Sequence, residues 1–177
     1  MRFACGAVTA SESINSMPDG PVEFDLRRLL QQTHVSELTL TVVPLLSPDQ
    51  TLEAAAASMR EVSHGSALVC DADQLVGIIT ERDLLRLLAE GKDFDSPVSE
   101  SMTSPPQTLS TDDTLLDAVR LMDRGGYRRL PVVEGDACAV GIVDVKTVMN
   151  YVVEHVPTTV YNQASHALLT VRHAEGA

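Results

Sequence analysis

Apolar and polar positions along the chain fall into short blocks that occur twice. An apolar run at 67–70 is followed by a polar turn (Asp71, Ala72, Asp73) and a second run beginning at Gly77; residues 130–133, a turn at Glu134, Gly135 and Asp136, and a run beginning at Gly141 repeat the pattern. Four to six apolar residues bounded by turns predict buried strands. Ahead of the first pair, Ser47, Pro48 and Gln50 form a capping-box pattern that predicts a helix running to about Arg60. Ser110 with Asp113 predicts the same cap in the second block, where Leu115, Ala118, Val119 and Met122 recur at helical spacing as an inward stripe. Gly65 and Gly125 close these two helices. Leu84, Leu85, Leu87 and Leu88 then predict a helix ending at Gly91, with Val148, Tyr151 and Val152 marking its counterpart.

A shift of 63 positions superimposes the two blocks: Val35, Ser36 and Glu37 fall on Val98, Ser99 and Glu100, and Leu46, Asp49, Thr51, Leu52, Ala55 and Met59 fall on Leu109, Asp112, Thr114, Leu115, Ala118 and Met122. After one extra residue in the second copy, Gly77 and Ile78 meet Gly141 and Ile142. Two copies of one unit explain this economically. Each reads strand, helix, strand, strand, helix, an α/β arrangement. The expected division is a leader with a short helix over 22–32 (residues 1–34), a first repeat (35–97), a second repeat (98–156) and a tail (157–177).

Composition narrows the function classes. A chain of 177 residues can bury about 70% of its unfolded surface, and with 44% hydrophobic but only 3% aromatic residues and no Trp its core must be aliphatic. The net charge of −12 repels phosphate backbones and anionic lipid, so nucleic acid and membrane surfaces are not expected partners. No 18 apolar residues run together and the first 13 residues lack a signal-peptide core. Cys5, Cys70 and Cys138, odd in number and without ligand spacing, argue against a disulfide framework or a zinc site and fit a reducing cytoplasm. His34, His64, His155, His166 and His173 stand in no triad or metal spacing, and no P-loop is present, so no catalysis is expected.

Two segments carry candidate chemistry. In Gly77-Ile78-Ile79-Thr80-Glu81-Arg82-Asp83, Thr80 and Asp83 have capping-box spacing and need be nothing more. The same geometry would also present a helix N-terminus to phosphate and a carboxylate to ribose hydroxyls. In Gly126-Tyr127-Arg128-Arg129-Leu130-Pro131-Val132-Val133, two guanidinium groups enter a strand, so alternation turns one toward a cleft and the other toward solvent. They are either a solvated pair offsetting nearby acids or a phosphate contact.

The doubled unit, GIITERD and RRLPVV resemble the cystathionine-β-synthase (CBS) domain pair, or Bateman module, over residues 35–155. The resemblance implies tandem β-α-β-β-α repeats packed about a pseudo-twofold axis, often as a disc-shaped homodimer, with two inter-repeat clefts that hold adenine nucleotides. Carried over, Thr80 and Asp83 would hold ribose and Arg128 and Arg129 would lie near phosphate. The backbone at Ile78 and Ile79, with Gln107 and Thr108 on the second unit's opening strand, would flank adenine. The other cleft departs from the pattern: in Gly141-Ile142-Val143-Asp144-Val145-Lys146-Thr147 the Asp and Thr have exchanged places, and Gly65 and Ser66 stand where the arginines would be. The sites are therefore expected to be unequal, the first occupied and the second weak or empty. The implied function is a stand-alone regulatory protein that senses AMP, ADP or ATP, with S-adenosylmethionine a less favoured ligand, and passes ligand state to an unknown partner. The alternative is a ligand-free dimerisation or interaction module.

Overall fold

A computed structural model describes residues 24–156. Cys5, His166, His173, the first part of the leader and the tail after 156 lie outside the described residues. A helix α1 (Leu26–Gln32), shorter than the 22–32 expected, is capped by Asp25, whose carboxylate accepts from the Arg28 N–H. The first unit follows as β1 (Leu45–Leu46), α2 (Leu52–Glu61), β2 (Ser66–Asp71), β3 (Gln74–Thr80) and α3 (Glu81–Ala89). The second repeats it as β4 (Leu109–Ser110), α4 (Leu115–Gly125), β5 (Arg129–Glu134), β6 (Cys138–Asp144) and α5 (Val145–His155). A single 3-10 turn, Val35–Glu37 or Val98–Glu100, precedes each unit.

The six strands form one sheet in the order β1-β2-β3-β6-β5-β4, a palindrome about the seam where Gln74 of β3 faces Cys138 of β6. In each half the first strand runs parallel to the second, and the second and third form an antiparallel hairpin. The halves also exchange segments. Thr41, ahead of β1, bridges to Ile142 of β6, and Thr103, ahead of β4, bridges to Ile78 of β3. Val35 accordingly packs in the core of the second half with Leu109, Leu115 and Val132, while Val98 packs in the first with Leu52, Val69 and Ile79. A third cluster of Val43, Leu68, Leu75, Ile78 and Ile142 joins them. These clusters are aliphatic, as the composition requires.

Three local expectations are corrected. The helices start four residues later than predicted: Thr51 caps α2 through the Ala54 N–H, and Thr114 caps α4 through the Asp117 N–H. The Ser47 to Gln50 pattern is instead a closed turn, the Ser47 N–H donating to Gln50 Oε1 and the Gln50 N–H to the Ser47 carbonyl. The third strands begin at Gln74 and Cys138, three residues before Gly77 and Gly141, because Ala72 and Asp73 take positive φ (45° and 69°) and reverse the first hairpin at once. The predicted opening strand is shorter as well: β4 is Leu109–Ser110, so Gln107 and Thr108 precede it.

Candidate functional site

The first cleft starts from the end of β3. Thr80 leaves the strand as N-cap of α3, and Asp83 closes a reciprocal box: its Oδ2 accepts from the Thr80 N–H (3.0 Å) and hydroxyl (2.6 Å), while Thr80 Oγ1 accepts from the Asp83 N–H (3.4 Å). Capping therefore occupies one carboxylate oxygen. Oδ1 accepts no hydrogen bond among the described residues and has the exposed Arg86 at 3.9 Å. A cap built in this way can also accept from a ribose hydroxyl, so capping and binding are compatible uses of Asp83.

The opposite wall belongs to the second repeat. Gly126 ends α4 in the left-handed region (φ 64°), and the chain turns through Tyr127 and Arg128 into β5 at Arg129. Together the walls enclose a cavity of about 470 Å³. Ile78, Thr80, Arg82 and Asp83 line it from the first repeat, and Gln107, Tyr127, Arg128 and Arg129 line it from the second. Six of the eight predicted residues are thus brought together: Ile78, Thr80, Asp83, Gln107, Arg128 and Arg129. Both arginines border the cavity, Arg129 half-buried at the start of β5 and Arg128 exposed just ahead of it. Ile79 and Thr108 are not among the lining residues; the Ile79 side chain is wholly buried in the first-half core. Both backbone groups of Ile78 are bonded to Thr103 (3.1 and 2.9 Å), so Ile78 offers a ligand its side chain but no free main-chain bond.

Sequence reasoning missed Arg82 and Tyr127. Arg82 occupies an unspecified position of the Gly-h-h-Thr-x-x-Asp pattern (h, hydrophobic; x, any residue), and only its place on the first turn of α3 shows that it borders the cavity.

The pseudo-symmetric cleft is built differently. Asp144 caps α5, accepting from the Thr147 N–H (2.8 Å) and hydroxyl (3.0 Å), so the exchanged Asp and Thr still form a cap. The pairings Ser66 with Thr80 and Arg129 with Asp144 establish Ser66 as the structural equivalent of Arg129. Ser66 is wholly buried and lies 3.1 Å from His64 Nδ1, and His64 Nε2 stands 3.8 Å from Asp144 Oδ2. His64 is therefore a polar link between the halves. These are the residue types of a hydrolytic triad, but a hydroxyl with no accessible surface cannot reach a substrate carbonyl. The cavity beside Asp144, about 680 Å³, is lined by Glu37, Asp144, Glu154, Lys146 and His155 among others, three carboxylates against one lysine and one histidine.

Gly65 stands against the arginine wall. A Cβ there would run into the Glu81 carboxylate and stand 3.0 Å from Arg129 Nη2. The guanidinium of Arg129 extends into room that the glycine leaves open.

Among the described residues, no group of three or more His, Cys, Asp or Glu could hold a metal, and no helix is long and apolar enough to cross a membrane.

Comparison with known proteins agrees with this architecture. The chain is similar to the CBS domain-containing protein YhcV of Bacillus subtilis, 37% identical over 110 residues, covering 62% of this chain and 78% of that one. Its fold is similar to a CBS domain protein of Pyrobaculum aerophilum complexed with AMP (TM-score 0.61, 26% identity, 64% of this chain and 88% of that one). It is also similar to CBSX2 of Arabidopsis thaliana in complex with AMP (TM-score 0.61, 25% identity, 69% and 97%). The CBS domain model matches residues 35–90 and again 98–154, so this chain belongs to the CBS-domain family and carries two tandem copies of the domain.

Proposed function

We propose that the chain is a regulatory CBS-pair protein that binds an adenine nucleotide in the first cleft and passes ligand state to a partner. One observation carries the reading: a ribose-competent Thr80–Asp83 cap from one repeat and the Arg128–Arg129 pair from the other line the same cavity. In a protein of charge −12, basic side chains converging on one cavity are a local exception that suits an anionic ligand. AMP in two solved relatives supports the same choice. A phosphate bridging both repeats would favour one arrangement of the halves over another, which is what a sensor needs. The division at 97/98 follows from this reading, since the ligand would sit between repeats 35–97 and 98–156. The free thiols of Cys70 and Cys138 suit a reducing cytoplasm.

A second reading, a dimerisation module without ligand, is favoured by the apolar side chains left exposed on α3 (Leu85, Leu88) and α5 (Met149, Val153). A homodimer through these helices is compatible with either reading. Calorimetric titration with AMP, ADP, ATP and S-adenosylmethionine separates them. The nucleotide reading expects binding that weakens at least tenfold in Asp83→Ala and in Arg129→Ala, about what loss of one charge-assisted bond costs. No heat with any ligand at millimolar concentration would favour the interaction module.

A further inference from the structure

We propose that His64 is a proton-operated latch across the second cleft: its protonated ring ties the start of β2 in the first repeat to the cap of α5 in the second, and loss of the proton releases the tie. The proposal stands apart from the nucleotide reading.

His64 reaches this cleft because of what its counterpart does. Both hairpins are entered in the same way: the His64 N–H donates to the Met59 carbonyl as the Tyr127 N–H does to that of Met122 (3.0 Å each), just after a left-handed residue, Ser63 (φ 53°) or Gly126 (φ 64°). Tyr127 stows its ring over Gly125, where a Cβ would overlap it. In the first repeat Val62 stands in that place and carries the Cβ that Gly125 lacks. The His64 ring turns toward Asp144 instead.

The contact suits a charged ring. Asp144 divides its carboxylate: Oδ1 accepts from the Thr147 N–H and hydroxyl, and Oδ2 stands 3.8 Å from His64 Nε2. That distance is too long for a hydrogen bond, so the contact attracts strongly only while the imidazole carries its proton. On the other ring nitrogen the buried Ser66 hydroxyl, at 3.1 Å, holds the ring in place. The two side chains are 16% and 17% exposed, so solvent screens them far less than a surface pair such as Arg86 with Glu90.

Among the described residues this is also the one ion pair that joins the halves. The pairs of Arg86 and Arg120 lie along single helices, and Lys92 pairs with Glu100, two residues from Val98 in the first-half core. Other charged groups nearby are balanced or turned away. Arg60 and Glu61 are exposed at the end of α2, and Glu81 and Arg129 lie together against Gly65. Lys146, exposed on the first turn of α5, borders the neighbouring cavity, which His64 does not line. Imidazole exchanges its proton between about pH 5 and pH 8. A tie made by the protonated ring is present at the acid end of that range and lost as pH rises.

A double-mutant cycle on the full chain tests the latch: wild type, His64→Gln, Asp144→Asn and the double variant, each unfolded in urea at low salt at about pH 5.5 and about pH 8. Asn caps helices as well as Asp does, so Asp144→Asn removes the charge and keeps the cap. The proposal expects the coupling, read as a fold-change in the unfolding equilibrium constant, to be at least about threefold larger at the lower pH. Any smaller difference, whether from equal coupling at the two pH values or from none at either, would overturn it. Should Asp144→Asn not fold, Asp144→Thr, which keeps a capping hydroxyl as Thr80 does in the first repeat, takes its place in the cycle under the same criterion.

Discussion

The two clefts arise from one repeated unit and share their scaffold: a third strand ending in a cap, a helix starting there, and a crossing segment bridged to that strand. Their walls differ in kind. In the first, Thr80 and Asp83 face Arg128 and Arg129 across a cavity with three arginines. In the second, Asp144 and Thr147 make an equivalent cap, but the arginine positions hold Gly65 and buried Ser66, and His64 lies against Asp144. Duplication preserved what the backbone needs, namely caps, hairpins and an apolar sheet face. It did not preserve charge: Gly65 and Ser66 stand where the other half has Arg128 and Arg129.

The comparison breaks most readily at the arginine wall. Arg129→Glu puts repulsion where attraction is proposed and should weaken nucleotide binding on the order of a hundredfold. Lys146→Glu, in the second cleft, should change it less than twofold; a calorimetric pair of titrations checks both. Next come the equivalent glycines. Gly141 has φ 153°, and a Cβ there would meet the Thr41 carbonyl oxygen at 3.2 Å and Leu40 Cβ at 3.0 Å, whereas a Cβ at Gly77 would meet the Met102 side chain first. Gly141→Ala should therefore cost about 1–3 kcal/mol in chemical denaturation, and Gly77→Ala less, because a flexible thioether can move aside.

A smaller effect sharpens the reading of the caps. Thr114→Ala should cost about 1 kcal/mol, and Ser110→Ala clearly less, since Ser110 ends β4 and its hydroxyl accepts from the Asp112 N–H ahead of α4 rather than from the helix. Smallest is a pH effect confined to one repeat. The hydrogen bond from the Thr114 hydroxyl, helped by Arg120 and Arg124, holds the Asp117 carboxyl below its ordinary value, whereas Ala54 stands at the equivalent place in α2. A depressed carboxyl stabilises the fold above its unfolded pKa, and that contribution disappears as pH falls through the folded value. Asp117 is half exposed, so Asp117→Asn should flatten the acid limb of a stability–pH curve only slightly, while Ala54→Ser should leave it unchanged.

Much of this was legible in the residues. The 63-position repeat gave the element order of both halves, and the Thr80 and Arg129 segments gave most of one cavity wall by wall. What escaped was set by three-dimensional choice among equivalent signals. Ser47 and Thr51 are both residue types that cap helices, and the entry of Leu52 into the core decides for Thr51. Arg82 occupies a position that any surface residue could fill, and its meaning comes from the facing wall. His64 meets Asp144 across 80 residues of chain and the boundary between halves, a contact that no local spacing encodes. Adjacent strand residues face opposite ways, so Ile78 borders the cleft while the Ile79 side chain enters the core.

The most direct measurement is a crystal structure of the full chain grown with ADP. The account predicts one nucleotide per chain in the first cleft, a ribose hydroxyl within hydrogen-bond distance of Asp83 and phosphate oxygens within reach of Arg129. Nucleotide bound beside Asp144 instead, or bound in the first cleft through one repeat alone, would contradict it.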